Sequence, residues 1–303
     1  MESINNFLSK TIIDTINSSL FSLDDIEEIR IRAEQPLIIR TSLDEIVTEY
    51  IVTTEDILTS LERICENSVY TYQNQICGGF ITVTGGHRVG ISGNAVMEEG
   101  RILNINYISS LNFRIARQVI DCSRPLLNYI IDYDNNTVKN TLIVSPPGAG
   151  KTTILRDLVR NISNGFNGFR GLNVGLVDER GEIAAMYKGV AQNDIGIRTD
   201  VIDNVPKVIG MRLLIRSMAP QVIVADEIGG EDETETINYA VCSGVSGIFT
   251  AHGNSFNDLL LNPTLNDLIK LNVIQRIVFL ENKRIRNACF LNTKTLKYEK
   301  FAL

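Results

Sequence analysis

Apolar and polar positions follow two rhythms along this chain, and the change of rhythm near Ser123 divides it. Before that point, short alternating runs are mixed with helical spacings. Ile29-Arg-Ile-Arg32 and Leu37-Ile-Ile-Arg40 alternate apolar with charged residues, as strands with one buried face do, and Glu34-Gln-Pro36 between them reads as a turn. Ile4, Phe7, Leu8, Ile12, Ile16 and Leu20 recur at helical spacing. They predict an amphipathic helix over Met1 to Phe21 that packs on its own domain, with docking to a partner or membrane surface as the alternative. Glu2 and Asp14 set this segment apart from a signal peptide, which has a cationic start and a solid apolar core. Thr54-Glu-Asp opens a helix through Leu58, Leu61 and Ile64, its acids at the positive end. Gly78 to Gly86 reads as a strand bracketed by glycine pairs, with His87 to Gly93 as its hairpin partner and His87 as a structural residue. The expectation for residues 1–122 is a small α+β domain.

From Ser123 onward the apolar residues come in short continuous runs: Thr141-Leu-Ile-Val144, Leu172 to Val177, Gln221 to Ala225 and Gly247 to Ala251. Helical patterns separate them, at Thr153 to Val159, Pro206 to Met218, and Asp232 to Cys242 with Gly244 as its stop. Continuous apolar strands alternating with helices predict a parallel sheet buried on both faces, an α/β domain over residues 123–303. A last strand pair is expected at Val273 to Leu280 and Ala288 to Leu291.

The chemistry gathers where these apolar runs end. Ser145-Pro-Pro-Gly-Ala-Gly-Lys-Thr-Thr153 joins an apolar strand to an amphipathic helix without a gap, the context a phosphate-binding P-loop needs. The expected nucleotide-binding positions are Ser145, Pro146, Pro147, Gly148, Ala149, Gly150, Lys151, Thr152 and Thr153. Gly148 and Gly150 let backbone N–H groups converge on phosphate oxygens, and the helix opening at Lys151 adds the positive end of its dipole. Lys151 would reach the β- and γ-phosphates, and Thr152 would place its hydroxyl on Mg²⁺. Ser145 stands where the pattern usually starts with Gly.

Val222-Ile-Val-Ala-Asp-Glu227 is an apolar strand ending in two acids, a Walker B arrangement. Asp226 would hold Mg²⁺ through water, and Glu227 would polarise the attacking water. Val177-Asp-Glu-Arg-Gly-Glu-Ile183 also ends a strand. Asp178, Glu179 and Glu182 are therefore expected to face the nucleotide, as a general base or as magnesium's outer shell; a charged solvent loop is the alternative. Thr250-Ala-His-Gly-Asn254 ends a third strand, where His252 is placed to sense the γ-phosphate or to serve as a strand-end structural histidine.

Composition narrows the class. The chain has 303 residues, 44% hydrophobic and 21% charged, enough for about two domains with sizeable cores. A net charge of −7 argues against a protein that coats nucleic acid. Five scattered cysteines without a CxxC read as reduced thiols of a cytosolic protein, and two histidines exclude a His-rich metal site. No segment is long and apolar enough to span a membrane as a helix.

Taken in order, these motifs resemble the RecA-like secretion ATPases of type II and type IV machines. Val177 to Ile183 looks like that family's acidic box, with its last glutamate at Glu182. Glu227 matches the Walker B glutamate, and Phe249-Thr-Ala-His-Gly-Asn-Ser255 looks like the histidine box. Glu28-Ile-Arg-Ile-Arg32, Gly85 to Ile91, Asn112 to Arg117, Val177 to Arg180 and Arg216 to Pro220 look like the family's sporulation branch in endospore formers. Asp226 stands where secretion ATPases often carry Gly, and Gly229 where they often carry Arg, which leaves Glu182 and Glu227 both open as the base.

The resemblance implies a RecA-like P-loop ATPase domain with a smaller amino-terminal domain. It implies ATP and Mg²⁺ as ligands, and a homo-hexameric ring working from the mother-cell cytoplasm on the membrane proteins of a sporulation channel. A neighbouring subunit's arginine would complete the site, with Arg88, Arg114, Arg117, Arg212 and Arg216 as candidates and Arg88 foremost. A nucleic-acid motor on the same fold and a nonhydrolysing nucleotide-gated scaffold are the alternatives. Asn282-Lys283 is followed by Arg284-Ile285, so the guanine-reading aspartate of an Asn-Lys-x-Asp motif is missing.

Overall fold

The computed structural model describes residues 2–18, 25–281, 284–292 and 295–301. Leu20 and Phe21 of the expected first helix, and Asn282 and Lys283, lie outside the described residues. The chain divides into two compact units: Met1–Arg117 with Ala185–Gln192, and Gln118–Ala184 with Asn193–Leu303. A contiguous division at residues 122 and 123 leaves out the excursion of 185–192 into the first unit.

The first unit is a six-stranded antiparallel sheet. Its strands are β1 (Ile26–Arg32), β2 (Pro36–Thr41), β3 (Glu45–Ile51), β4 (Phe80–Val83), β5 (His87–Glu98) and β6 (Arg101–Arg114). They lie in the order β3-β2-β1-β6-β5-β4. The alternation in β1 and β2 buries Ile29, Ile31, Leu37 and Ile39 and leaves the charged partners outward.

The expected amino-terminal helix is two helices, α1 (Glu2–Asn5) and α2 (Lys10–Asn17). The break falls at Ser9, which caps α2 by accepting from the Ile12 N–H and donates its hydroxyl to Asp56 at 2.6 Å. Ile4, Phe7, Leu8, Ile12 and Ile16 are all buried in this unit's core, as their spacing requires. Asp56 belongs to a capping box with Thr53 that opens α3 (Thr54–Ile64), and it also accepts from Tyr50 at 2.6 Å. Helix α3 turns Ile57, Leu61 and Ile64 inward, with Leu58 half exposed. A short helix, α4 (Gln73–Cys77), precedes β4.

The second unit is built on an eight-stranded sheet. Helix α5 (Arg124–Ile130) leads into β7 (Thr141–Ser145), α6 (Lys151–Asn164), β8 (Val174–Asp178), β9 (Thr199–Asp203), α7 (Lys207–Met218), β10 (Val222–Ala225), α8 (Glu233–Cys242) and β11 (Ser246–His252). Helices α9 (Phe256–Leu261) and α10 (Pro263–Lys270) follow, then β12 (Arg276–Glu281), β13 (Arg284–Asn292) and β14 (Lys297–Phe301). The order is β9-β8-β10-β11-β7-β12-β13-β14, parallel from β9 to β12 and antiparallel beyond.

Each of the four continuous apolar runs holds a strand, and the strand residues within it are all buried, as a strand covered on both faces requires. The register sets Ser145 opposite His252 and Val177 opposite Ala225. The residues that follow those positions therefore emerge along one edge, the carboxyl ends of the strands, where α/β sheets bind ligands.

Candidate nucleotide-binding site

Between β7 and α6 the chain makes the glycine loop. Gly148 and Gly150 have φ of 74° and 89°, the left-handed region that glycine enters without strain. Gly150 is the N-cap of α6 and has no side chain to cap it, which leaves the amino terminus of this helix uncovered by a capping side chain. A side chain on Gly148 would meet no atom within 4 Å, so the space over the loop is open. Lys151 is only 5% exposed. Its ammonium donates to the carbonyls of Ser145 at 3.2 Å and Pro146 at 3.3 Å, and to His252 Nδ1 at 3.2 Å. Burial pulls its pKa below the ordinary lysine value, and the charges of Glu227 and Asp226 oppose that pull. Ser145, buried at the last position of β7, donates its hydroxyl to the Pro146 carbonyl at 2.9 Å.

Two strands away, β10 delivers Asp226 and Glu227. Thr152 Oγ1 donates to Asp226 Oδ2 at 2.7 Å, and Thr250, from β11 between them, donates to the other carboxylate oxygen. The Glu227 backbone sits at φ 52°, a left-handed conformation that costs a non-glycine residue about 1–2 kcal/mol. Its N–H is held at 2.7 Å by Thr250 Oγ1. That posture lets its carboxylate bridge His252 Nε2 at 2.9 Å and Arg180 at 2.7 Å. Since Lys151 has only hydrogens to give, His252 Nδ1 is the acceptor and Nε2 carries the proton toward Glu227. A continuous polar chain therefore runs Lys151–His252–Glu227–Arg180.

The acidic loop after β8 behaves differently from the sequence expectation. Asp178 is 2% exposed and turns inward: its carboxylate accepts the N–H groups of Glu182 at 2.8 Å, Ile183 at 3.1 Å and Ala184 at 2.8 Å. It shapes the loop through these three N–H groups while still lining the cleft with Glu179 and Glu182. Glu179 pairs with Lys207 of α7 at 2.5 Å, and Lys207 also lies 3.6 Å from Glu233, which accepts the N–H groups of Gly229 and Gly230. Glu182 remains half exposed in the cleft that Arg180, Lys207, Asp226 and Glu227 also line. Its carbonyl and that of Ile183 accept from Arg156 of α6 at 2.6 and 2.9 Å.

Of the expected site residues, the structure brings together the 145–153 loop, Glu182, Asp226, Glu227 and His252 in the second unit. Arg88 lies in β5 of the first unit with its guanidinium over the Phe80 ring, 4.7 Å from the centroid. Arg114 ends β6 and Arg117 follows in irregular chain, donating to the Ile26 carbonyl, so the two share no helical face. The Thr152 hydroxyl and Asp226 carboxylate are hard oxygen donors side by side, the kind of partial set Mg²⁺ takes when phosphates complete it; the residues fit that ion. Thr250, Arg156 and Arg180 were not singled out from sequence. The signal for Thr250 is a hydroxyl inside an otherwise apolar buried strand, and for Arg156 its place on the same helix as Lys151.

A glycine loop between strand and helix, paired acids ending the strand two places away, and a histidine strand between them define a RecA-like P-loop NTPase domain. The chain belongs to the family described as sporulation stage III, protein AA, whose model matches residues 1–289. It is 41% identical over 244 residues to stage III sporulation protein AA of Bacillus subtilis (strain 168), a match covering 80% of this chain and 78% of that protein. Among solved structures, the pilus retraction motor PilT with bound ADP has a TM-score of 0.59 at 14% identity, over 96% of this chain and 82% of that one. The Legionella pneumophila ATPase DotB also has a TM-score of 0.59 at 14% identity, over 89% and 78%. At such identity the likeness is one of fold, and it agrees with the motif resemblance.

Proposed function

We propose that the protein is a Mg²⁺-dependent ATP hydrolase that powers a secretion-like membrane channel during endospore formation. The observation that carries this reading is the connected array Lys151–His252–Glu227 beside Thr152–Asp226, at the carboxyl ends of adjacent parallel strands. Lys151 would exchange its carbonyl and imidazole partners for phosphate oxygens. The α6 amino terminus would hold the same anion. Thr152 and Asp226 would hold Mg²⁺, which when bound neutralises charge on the phosphates. Glu227 and Glu182 both border the cleft, and one of them would take the proton of the attacking water.

In this reading the protein works as a homo-oligomeric ring, a hexamer, at the mother-cell face of the membrane, held there by membrane-protein partners. No helix among the described residues is long and apolar enough to cross a membrane. An arginine such as Arg88 would serve a neighbour's site. The family match and the fold shared with PilT and DotB support this reading.

The test is ATP turnover measured against protein concentration, with and without DNA. Turnover should rise with concentration, ignore DNA, and vanish in Lys151→Ala. DNA-stimulated turnover would instead favour a nucleic-acid motor. Tight ATP binding without hydrolysis would favour a nucleotide-gated scaffold.

A further inference from the structure

The segment 185–192 leaves the second unit directly from the acidic loop and returns to it eight residues later, having become part of the first unit. It is a hairpin, Met186–Tyr187 paired with Val190–Ala191, turned at Gly189. On the second-unit side its base is closed by Asn193, whose N–H donates to the Ala184 carbonyl at 3.1 Å and whose side-chain amide donates to the Ile183 carbonyl at 2.7 Å. The same residues, Ile183 and Ala184, give their N–H groups to Asp178. No slack is left between Glu182 and the hairpin.

Within the first unit the hairpin is tied at both ends. At its base, Gln192 Oε1 accepts the Gly85 N–H at 2.9 Å. Gly86 lies so close that an added side chain would stand 3.1 Å from the Ala185 side chain and 3.3 Å from that of Gln192. The neighbouring His87 accepts the Ala116 N–H at 3.0 Å, so one turn holds both this hairpin and the strand end that leads out of the unit. At the tip, Tyr187 and Lys188 both bind the carboxylate of Glu66. Ala185, where the chain enters the unit, has φ 51°, a fixed bend and not a loose tether.

We propose that this hairpin is a positioning lever: the first unit, by holding residues 185–192, sets where Glu182 stands at the nucleotide. The proposal rests on the reading of the second unit as an ATP hydrolase. Glu66, Tyr187 and Lys188 are then positioning residues that act on turnover through the acidic loop, and they touch neither nucleotide nor metal. A motion of the first unit would be passed to Glu182 by covalent chain and paired hydrogen bonds.

The experiment compares wild type, Glu66→Lys, Lys188→Glu and the exchanged pair Glu66→Lys/Lys188→Glu in full-length protein, measuring kcat and KM for ATP together with thermal melting. Both partners are solvent-exposed, so the variants fold. Each single variant should lose about tenfold in kcat, because a shift of a fraction of an ångström at a reacting group costs that much. KM should stay within about twofold, since the phosphate loop is untouched. The exchanged pair should recover most of the wild-type kcat at an unchanged melting temperature. An active wild type whose single variants keep full kcat, or whose exchanged pair fails to recover, overturns the lever alone. A wild type without turnover overturns the hydrolase reading and the lever with it.

Discussion

Replacing Asp178 tests whether the acidic loop is held from within or faces the nucleotide. Asp178→Ala removes a carboxylate that accepts from the Glu182, Ile183 and Ala184 N–H groups at 2.8 to 3.1 Å. Ile183 and Ala184 are fully buried, so water does not readily replace the lost acceptor. Leaving a buried donor unsatisfied costs about 1–3 kcal/mol; with partial relaxation, the group of donors amounts to about 3 kcal/mol. For a unit of this size that corresponds to a fall in melting temperature of about 6–12 °C. Asp178→Asn keeps one acceptor oxygen and should lose about half as much. Differential scanning calorimetry measures the loss, and a fluorescent ATP analogue measures affinity, which should hold within about twofold because the glycines of the phosphate loop and Lys151 are unchanged. Turnover should drop by at least about tenfold as Glu182 loses its fixed position. Had Asp178 faced the metal or phosphate, Asp178→Asn would change Mg²⁺ dependence and affinity with little change in melting. That pattern, with a melting temperature unmoved, refutes the inward-clamp account.

Glu227→Gln should bind ATP and fail to hydrolyse it. Glu182→Gln should slow single-turnover hydrolysis by a factor of about 10² to 10⁴ if Glu182 is the base, and full rate in that variant would assign the chemistry to Glu227. His252→Ala should leave ATP affinity nearly intact and lower turnover; unchanged kinetics with a lowered melting temperature would make it a structural strand-end residue. Burial holds the His87 imidazole down at about 4, against about 6.5 in an unfolded chain. The unfolded state therefore binds the proton first. Stability should be full above about pH 6.5 and fall by on the order of 3 kcal/mol toward pH 4, and His87→Gln should flatten that dependence in equilibrium denaturation.

The glycine loop and the strands of the second unit are legible in sequence because their determinants are local. A loop that approaches phosphate needs glycines at fixed places, and a strand buried on both faces needs a continuous apolar run. Elements without such a demand escape notice. Strand β3 alternates exposed Glu45, Val47 and Glu49 at a sheet edge, and β9 is half buried throughout at the other sheet's edge. The outer parts of β5 and β6 are mostly exposed, so burial makes little demand on their sequence.

Other features depend on distant partners. The first helix breaks at Ser9 because Asp56, 47 residues away, offers it a carboxylate. Periodicity through Ile4, Phe7, Leu8 and Ile12 finds the buried face and misses the break. The same holds in the site. Asp178 looks in sequence like one more strand-end acid, and only the fold of residues 182–184 turns it into a clamp.

The division of labour between the two candidate bases follows from how each is held. Glu227 has one carboxylate oxygen on His252 and the other on Arg180, and it sits on a strained backbone that Thr250 pins. To act on water it must exchange one of those partners. Its path to the phosphate loop runs through His252 to Lys151, so an anion that draws the Lys151 ammonium away leaves the imidazole with one partner in place of two. In the proposed mechanism that exchange ties the readiness of Glu227 to an occupied phosphate loop, which limits idle hydrolysis. Glu182 is held otherwise: its N–H and carbonyl are fixed by Asp178 and Arg156, and its backbone leads without slack toward the 185–192 hairpin. In the proposed mechanism one acid would answer to the phosphate loop and the other to the 185–192 hairpin, so that hydrolysis would wait for both; the two carboxylates border the same cleft.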